Sequence, residues 1–453
     1  MTSTRAIVER YAEARMGMDA AARHAATIAL ADGLAVMVAA TGLEPSVRPF
    51  MAHALAMGQG PSTLIGESRK VSPTSAALAN GALAHALDFE DTFEPGKVHP
   101  NASLIPAVIA LAESEDATGE ALIAGLVLGC DFACRLSLAP DGDPAARGWY
   151  HPPILSGLGA TLGCCTLLSL DPDATTNALG LFLSQFMLAD ELKRSPLSHL
   201  RAVREGLAAR AAVEAALLAR AGVVAVEQPL EGQSGLFRLL TGAPPKAEVF
   251  ADIGTTFLGP DVGIKRWPAC RGTHSAIVAA QRLRRRGISL SDIAEVSVQV
   301  SPPNDMLFVP RNQRIRPQTP IDAKFSIPFV LALALQGEEI TLESFSSQNL
   351  ATDILRDLAA RVRMAGSLAP PHLEAVFHFH LMTGDVIAEP IEPLDAWRAG
   401  DTALDDLGSK IEACMAVSLV PVPPGLFTAA LGDLADTGIG PLMQLLRTGI
   451  AAN

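Results

Sequence analysis

The sequence has few aromatic residues and few cysteines. Phe, Trp and Tyr make up 5% of its 453 residues, and six cysteines are present. They are Cys130, Cys134, Cys164, Cys165, Cys270 and Cys414. No CxxC pair and no spacing typical of a zinc or iron–sulfur site occurs among them, so we interpret them as reduced thiols. This excludes a hydratase that relies on a cysteine-bound iron–sulfur cluster.

Positive charge is also scarce. The chain has 35 Lys and Arg residues against 48 Asp and Glu residues, which gives a formal net charge of −13. This balance argues against nucleic acid as a partner. An anionic substrate would require basic residues to be concentrated locally, and such concentrations occur between Lys193 and Arg204 and between Lys265 and Arg271.

Neither a secretory signal nor a membrane-spanning segment is predicted. The first 15 residues alternate in charge without an apolar stretch, and the longest strongly apolar run, 121–130, is shorter than a bilayer span. A G-x-S-x-G nucleophile motif is absent, and the glycines between Gly157 and Gly163 follow a loop rather than a strand, which favours helix packing over dinucleotide binding. We expect a cytoplasmic protein without a membrane partner.

The pattern of apolar residues predicts a mainly α fold with a smaller α+β part. Residues 1–265 are typical of successive helices. Residues 266–395 mix helices with strands, such as Val296–Val300, whose apolar residues alternate with period two and which ends before Pro302. Helical patterns resume in residues 396–453. The apolar excess, 49% of the residues, indicates a buried subunit interface.

An acidic break separates two apolar helices. The first helix is predicted to begin at Ser72 and Pro73 and to end close to Asp88, Glu90 and Asp91. The negative end of the helix dipole disfavours carboxylates, so the pKa of at least one of them, Asp88 in particular, should be raised. The alternative is an ordinary helix hairpin with a solvated acidic turn.

Two histidines precede prolines at predicted helix starts. His99 stands before Pro100 and His151 before Pro152. A residue before proline is disfavoured in the α region, so each imidazole should point away from its helix start, where backbone N–H groups favour an anion. The two histidines could share one anion, although each taken alone is more often an ordinary surface or core histidine.

A basic segment runs from Lys265 to His274. Thr273 can cap the following helix, whose last turn holds several arginines that complement the helix dipole. The positions of Lys265, Arg271 and His274 have no such explanation, so we treat them as candidate binding residues.

These motifs resemble the MmgE/PrpD family. The segments that carry the resemblance are Asn80–Thr92, His99-Pro100, Lys265–Pro268 with Thr273-His274, and Asp322–Ile327. They follow the family order, and the resemblance extends from about residue 30 to about residue 330. The family includes 2-methylcitrate dehydratase, cis-aconitate decarboxylase and iminodisuccinate epimerase. The resemblance implies a homodimeric, metal-free enzyme without a cofactor, acting on a di- or tricarboxylate. It also implies a large all-α domain formed by both chain ends and a smaller lid domain.

Carried over position by position, the resemblance places the site on seven residues. The implied catalytic residues are Asp88, His99, His151 and Lys265, and the implied substrate-binding residues are Thr92, Arg201 and Cys270. Arg271 and His274 join the substrate-binding candidates from the basic segment described above. Arg201 occupies the position of an expected lysine. Arginine holds a carboxylate in a bidentate fork but cannot serve as an acid or base near neutral pH. Lys193 or His199 could take over a lost lysine function, which the sequence leaves open.

The predicted chemistry is removal of a proton α to a carboxylate. Asp88 or a histidine would act as the base, cations would stabilise the enolate-like charge, and a second group would protonate a departing hydroxyl. Dehydration is the first expectation because it is frequent in the family, with epimerisation and decarboxylation as alternatives. A non-catalytic carboxylate-binding dimer is a further alternative, but such a protein would need the cations and not Asp88.

Overall fold

The computed structural model describes residues 3–195, 198–337, 339–368, 373–394 and 397–448, and it is mainly helical with small sheets. The predicted class, mainly α with some β structure, is confirmed. The helices are α1 Thr4–Ala14, α2 Ala20–Leu43, α3 Arg48–Ala56, α4 Pro73–Ala86, α5 Pro100–Ser114, α6 Gly119–Leu138, α7 Pro152–Leu167, α8 Pro172–Gln185, α9 Leu200–Arg220, α10 Leu236–Thr241, α11 His274–Arg285, α12 Arg311–Ile315, α13 Pro320–Lys324, α14 Ile327–Leu335, α15 Ser347–Leu350, α16 Asp353–Ala360, α17 Gly408–Ala416, α18 Pro424–Gly432, α19 Leu434–Thr437 and α20 Gly440–Thr448. The strands are β1 Ser62–Thr63, β2 Lys70–Val71, β3 Gly263–Ile264, β4 Ile293–Val300, β5 Val362–Ser367, β6 Ala375–Leu381, β7 Val386–Ile391 and β8 Trp397–Arg398.

Helix α4 begins as the sequence predicts. The Ser72 hydroxyl accepts a hydrogen bond from the backbone N–H of Ser75 at 3.2 Å, and Pro73 occupies the first turn, where no N–H is needed. After the helix ends at Ala86, Asp88 adopts a left-handed conformation with φ 50°. Glycine is the usual residue in that conformation after a helix. The backbone strain at Asp88 therefore directs attention to its side chain.

Small residues let the central helices approach closely. Helices α4 and α9 cross where Gly81 faces Gly206, and a Cβ atom added to Gly206 would overlap the carbonyl oxygen of Leu78. Helices α5 and α7 pack against the same pair. The crossing brings the last turn of α4 beside the first turn of α9, and it explains how a chain poor in aromatic residues fills its core.

The four-stranded sheet has the strand order β5-β4-β6-β7. Strands β4 and β5 are parallel, while β6 runs antiparallel to both β4 and β7. Val296, Val298 and Val300 are buried in β4, and intermediate residues alternate with them. This confirms the predicted half-buried strand. Helix α11 contacts β6 and β7, and α16 contacts β5.

The C-terminal helices return to the N-terminal ones. Helix α17 packs against α2, and α19 packs against α6. Within α17, the buried ammonium of Lys410 donates to the carbonyl oxygens of Phe89 at 2.8 Å and Lys265 at 3.1 Å and lies 2.5 Å from an Asp32 carboxylate oxygen. One side chain thus connects four distant parts of the chain. The division into a helical domain and a lid at 266–395 stays a prediction.

Two helices are long and apolar enough to cross a membrane by length and composition alone. They are α2 and α6, and 78% of the most apolar window of each is buried inside the fold. The sequence-based statement that no apolar segment reaches this length is therefore wrong, because α6 extends the run at 121–130 in both directions. Burial of this extent is the pattern of core helices.

We expect Gly206→Ala to lower the free energy of unfolding by about 1–3 kcal/mol, because the added methyl group must push α4 away from α9. The measurement is chemical denaturation followed by circular dichroism. Gly408→Ala is the matched control, since Gly408 has a helical φ of −50° and a Cβ there meets nothing within 4 Å. Equal effects of the two substitutions would contradict a requirement for glycine at the crossing.

Candidate active site

A buried ion pair joins the end of α4 to the segment before α11. The Lys265 ammonium donates to Asp88 Oδ1 at 2.8 Å and to the Asp88 carbonyl oxygen at 2.9 Å. Burial acts to raise the pKa of Asp88, but Lys265 together with smaller contributions from His85 and His99 outweighs it, and the pKa is lowered overall. For Lys265, burial acts to lower the pKa, and Asp88 and Glu90 reverse this to a net increase. Both groups are therefore charged.

The expectation of a raised pKa at Asp88 is wrong. The partial charge at a helix end is about half an elementary charge, whereas Lys265 places a full charge in direct contact. The carboxyl group that keeps its proton is instead Asp91, because burial raises its pKa to about 8. The sequence correctly predicted a raised pKa among these three carboxyl groups, but the residue concerned is Asp91 and not Asp88.

Two histidines share one oxygen of Glu90. Nδ1 of His85 lies 2.5 Å from Glu90 Oε1, and Nδ1 of His99 lies 3.3 Å from the same atom and 2.7 Å from the carbonyl oxygen of Asp91. Carboxylate and carbonyl oxygens only accept hydrogen bonds, so Nδ1 carries the proton in both rings and Nε2 keeps a lone pair. Nε2 of the buried His85 has no hydrogen-bond partner in the described part of the chain.

Both imidazoles are neutral at physiological pH. Burial lowers the pKa of His99 to about 4, with a further decrease from Lys265. Burial and then the charge of Arg204 hold the pKa of His85 well below its ordinary value. The two rings lie with their centroids 5.2 Å apart. They form a pair of neutral proton acceptors next to the ion pair of Asp88 and Lys265.

Further cations come from α9 and α13. The Arg201 guanidinium lies 3.9 Å from the ring centroid of Phe325, and within the described ranges it makes no hydrogen bond or ion pair. Lys324 donates to the carbonyl oxygen of Leu87, and burial lowers its pKa to about 8. The charge of Arg201 also acts on the pKa of His85, which places the guanidinium near the histidine pair.

A pocket of about 200 Å³ opens next to Lys265. Its lining includes Thr92, Lys265, Trp267, Arg271, His274 and Trp397. The backbone N–H and carbonyl of Thr92 pair with those of Gly263 at 2.8 Å each, which fixes Thr92 beside the segment that carries Lys265. Four of the predicted site residues thus meet at this pocket.

Arg271 is already bound to protein carboxylates. Its guanidinium lies 2.5 Å from Glu94 and 2.8 Å from Glu374. Arg271 therefore ties the loop after α4 to the start of β6. Its predicted role in substrate binding stays a prediction, and a substrate carboxylate would have to compete with these two partners.

His274 and Cys270 are both uncharged. Nε2 of His274 lies 3.2 Å from the carbonyl oxygen of Trp267, and burial lowers the pKa of the ring to about 3. Burial, supported by the charge of Asp88, raises the pKa of the Cys270 thiol to about 11. The thiol is therefore not a nucleophile at neutral pH.

His151 lies in a different environment. Burial lowers its pKa to about 4, and the charged groups that act on it are Lys193, Asp143, Asp190 and Lys97. None of these belongs to the cluster around Asp88. The pairing expected between His99 and His151 is made instead by His99 and His85, and a catalytic role for His151 stays a prediction.

Sequence reasoning did not select five residues of this cluster, namely His85, Glu90, Tyr150, Arg204 and Lys324. Two of them carried a usable signal, because His85 lies three residues before Asp88 at the end of α4 and Arg204 lies three residues after Arg201 on α9. Tyr150, whose ring centroid is 4.7 Å from the Arg204 guanidinium carbon, gave none.

The cluster also contains a possible set of metal ligands. One donor atom from each of His85, Asp88, Glu90 and His99 lies within 4.8 Å of the others. Two imidazoles and two carboxylates suit several divalent metals. The ammonium of Lys265 supplies positive charge next to both carboxylates, at 2.8 Å from Asp88 and 4.0 Å from Glu90. Metal independence therefore stays a prediction.

Comparison with known families agrees with this geometry. Residues 8–248 match the MmgE/PrpD N-terminal domain, and residues 267–369 match the MmgE/PrpD C-terminal domain. The chain belongs to the MmgE/PrpD family. The two matches include all nine predicted site residues except Lys265, which lies between them, and together they cover most of the chain.

Similar MmgE/PrpD proteins include cis-aconitate decarboxylases. The chain is 27% identical over 326 residues to the enzyme of Aspergillus terreus, which covers 67% of this chain and 66% of the fungal protein. It is 26% identical over 309 residues to the human enzyme, covering 65% and 62%. The aligned part thus spans slightly less than two thirds of these relatives. The comparisons support a lyase and leave dehydration and decarboxylation undecided.

We expect the ring signals of His85 and His99 to stay unchanged between pH 8 and pH 5, with His99 titrating at about 4. NMR of ring-labelled protein measures this, and the single glutamine variants assign the signals. The ordinary pKa of a histidine side chain is about 6.5. Because the folded protein binds fewer protons than the unfolded chain between these values, its stability should fall as the pH drops from about 6.5 to about 4. A His99 titration near 6.5 would contradict the buried neutral pair.

Proposed function

We propose that this protein is a lyase that acts on a di- or tricarboxylate, and that its chemistry begins with proton transfer at the carbon next to a carboxylate. The observation that carries the proposal is the pair of neutral imidazoles beside the buried ion pair of Asp88 and Lys265, since Nε2 of neither ring has a hydrogen-bond partner among the described residues. The cis-aconitate decarboxylases among the relatives support a polycarboxylate as substrate.

The cations explain how an acidic protein binds an anion. Lys265, Arg201 and Arg204 bring three positive charges, against the two carboxylates of Asp88 and Glu90. The guanidinium of Arg201, which makes no hydrogen bond or ion pair with the described residues, is available to a substrate carboxylate in the bidentate geometry that arginine favours. Binding in a buried site strengthens these interactions, because water no longer screens them.

We assign the base to the histidine pair rather than to Asp88. The Asp88 carboxylate is held by the Lys265 ammonium, whereas Nε2 of each neutral imidazole keeps a lone pair that can accept a proton. Glu90 stabilises the imidazolium that forms, because it accepts the Nδ1–H of His85 and its Oε1 lies 3.3 Å from Nδ1 of His99. Asp88 keeps Lys265 charged and in place, so that the ammonium stabilises the enolate-like charge of the transition state. Lys324 is the proposed proton donor, since a pKa of about 8 lets it release a proton near neutral pH.

Dehydration is the reaction we place first, as the family pattern predicts. Decarboxylation is the second candidate, and the named activity of the relatives favours it. Both reactions develop negative charge on the carbon next to a carboxylate and would use the same cations.

We also propose that the protein acts as a homodimer in the cytoplasm without a metal. Light scattering would test the dimer, and assays in the presence of a chelator would test the independence from metal.

The substrate is tested by NMR in deuterated buffer. The purified protein is incubated with 2-methylcitrate, citrate, cis-aconitate and substituted succinates, with and without EDTA, and the spectra are followed for products and for exchange of α-protons. Loss of water or of carbon dioxide from one acid would identify the reaction. If none of these acids gave a product or exchanged its α-protons, the proposal would be contradicted.

We expect Asp88→Asn to reduce kcat/KM by about 10²- to 10⁴-fold, because Lys265 loses its counter-charge and its orientation. Asp116→Asn is the matched control, since Asp116 is exposed and has the same left-handed backbone, with φ 48° against 50° for Asp88. Steady-state kinetics on the identified substrate measures both variants. Activity of Asp88→Asn within a few-fold of the parent protein would rule out this role.

A further inference from the structure

Arg204 is a buried cation whose guanidinium group is only partly hydrogen-bonded. It lies near the start of α9, three residues after Arg201, and it is 0% exposed. Its Nη1 donates to the carbonyl oxygen of Arg201, while Nε and Nη2 have no hydrogen-bond partner among the described residues. These two atoms form the side edge of the guanidinium group, which is one of the edges that bind a carboxylate through two parallel hydrogen bonds.

The neighbouring carboxyl group does not fill this edge. Glu205 Oε1 lies 3.6 Å from Nε of Arg204, which exceeds hydrogen-bond distance. The other oxygen of Glu205 accepts a hydrogen bond from Ser103. Burial raises the pKa of Glu205 to about 7, so that near neutral pH this group carries only part of a charge. Within the described part of the chain, Nε and Nη2 of Arg204 are therefore buried without hydrogen bonds, at a cost in free energy.

A second buried arginine shows what a structural role looks like in this chain. Arg135 is 2% exposed, and all three of its guanidinium nitrogens are bonded. Its Nε donates to Asp131 at 2.8 Å, its Nη1 to Asp252 at 2.5 Å and its Nη2 to the carbonyl oxygen of Thr256 at 2.7 Å. Arg204 has the same burial without these bonds. The difference points to a ligand.

The guanidinium of Arg204 lies near Tyr150 and the histidine pair. The ring of Tyr150 lies 4.7 Å from the guanidinium carbon of Arg204, and the charges of Arg204, Arg201 and Asp88 all act on Tyr150. Arg204 is also the charged group with the largest influence on His85. Arg201 and Arg204 thus approach the same space from one helix, while Lys265 approaches it from the segment before α11.

We propose that Arg204 binds a second carboxylate of the substrate through Nε and Nη2, while Arg201 and Lys265 hold the carboxylate next to the reacting carbon. This rests on the proposed function and names the residue that recognises the second carboxylate of its substrate. Arg204 is in this view a specificity-determining residue. Arg204 makes tight binding depend on the second carboxylate. A ligand without that carboxylate leaves Nε and Nη2 of the buried guanidinium without hydrogen bonds.

The test uses unreactive acids and calorimetry. The probes are tricarballylate, glutarate, which lacks the central carboxylate, and methylsuccinate, which lacks a terminal one. Arg204→Met removes the charge at similar volume, Arg204→Lys keeps the charge without the fork, and Arg210→Met is the control because Arg210 is exposed on the same helix.

We expect Arg204→Met to weaken tricarballylate binding by about 10- to 100-fold. Of the two dicarboxylates, glutarate and methylsuccinate, one lacks the carboxylate that Arg204 binds. The affinity for that acid should be the same in Arg204→Met and in the parent protein. Arg204→Lys should recover part of the loss, and Arg210→Met should behave as the parent protein. Without ligand, Arg204→Met should unfold at the same temperature as the parent protein or at a higher one, because an unpaired buried charge is removed.

Two results would overturn the assignment. If Arg204→Met weakened all three acids equally and lowered the unfolding temperature, Arg204 would be structural. If it weakened none of them, Arg204 would not contact the ligand. A parent protein that binds none of the three acids would instead overturn the proposed function, and this inference with it.

Discussion

The buried ion pair between Asp88 and Lys265 is the interaction on which the rest of the site depends. Removing two charges from water costs several kcal/mol per ion, and mutual attraction offsets this only if other polar groups are satisfied as well. The surroundings provide part of this, although Oδ2 of Asp88 has no hydrogen-bond partner among the described residues. Lys265 also donates to the Asp88 carbonyl oxygen, and Lys410 donates to the carbonyl oxygens of Lys265 and Phe89 on either side of the pair.

The location of this pair follows from close helix packing. Gly81 and Gly206 allow α4 and α9 to approach until their backbones touch, so the polar ends of both helices face the same interior volume. In that low-dielectric volume, burial moves pKa values away from their ordinary range. His85, His99 and His274 become neutral, Asp91 and Cys270 keep their protons, and Asp88 remains charged only because Lys265 is in contact with it.

The arginines of α9 are the feature that distinguishes this site from a purely structural polar core. A protein that buries a guanidinium usually saturates it, as at Arg135. Arg201 and Arg204 are left with free donors at the end of α9 where it meets α4. This arrangement is less favourable for the empty protein than a saturated core, and it favours the bound state of an anionic ligand.

The sequence by itself determined the helix limits, the strands and the motifs. Ser72 with Pro73 starts α4 through local capping, and alternation in Val296–Val300 predicts β4, because both depend on neighbouring residues only. The candidate residues Asp88, Lys265 and His99 could likewise be predicted from motifs. Tertiary structure decided which groups meet. The ring of His99 contacts that of His85, Arg271 binds Glu94 and Glu374, and the pKa of Asp88 is lowered where the sequence predicted an increase. These outcomes depend on distances between residues far apart in the chain, and both Coulomb energy and desolvation are set by those distances rather than by local sequence.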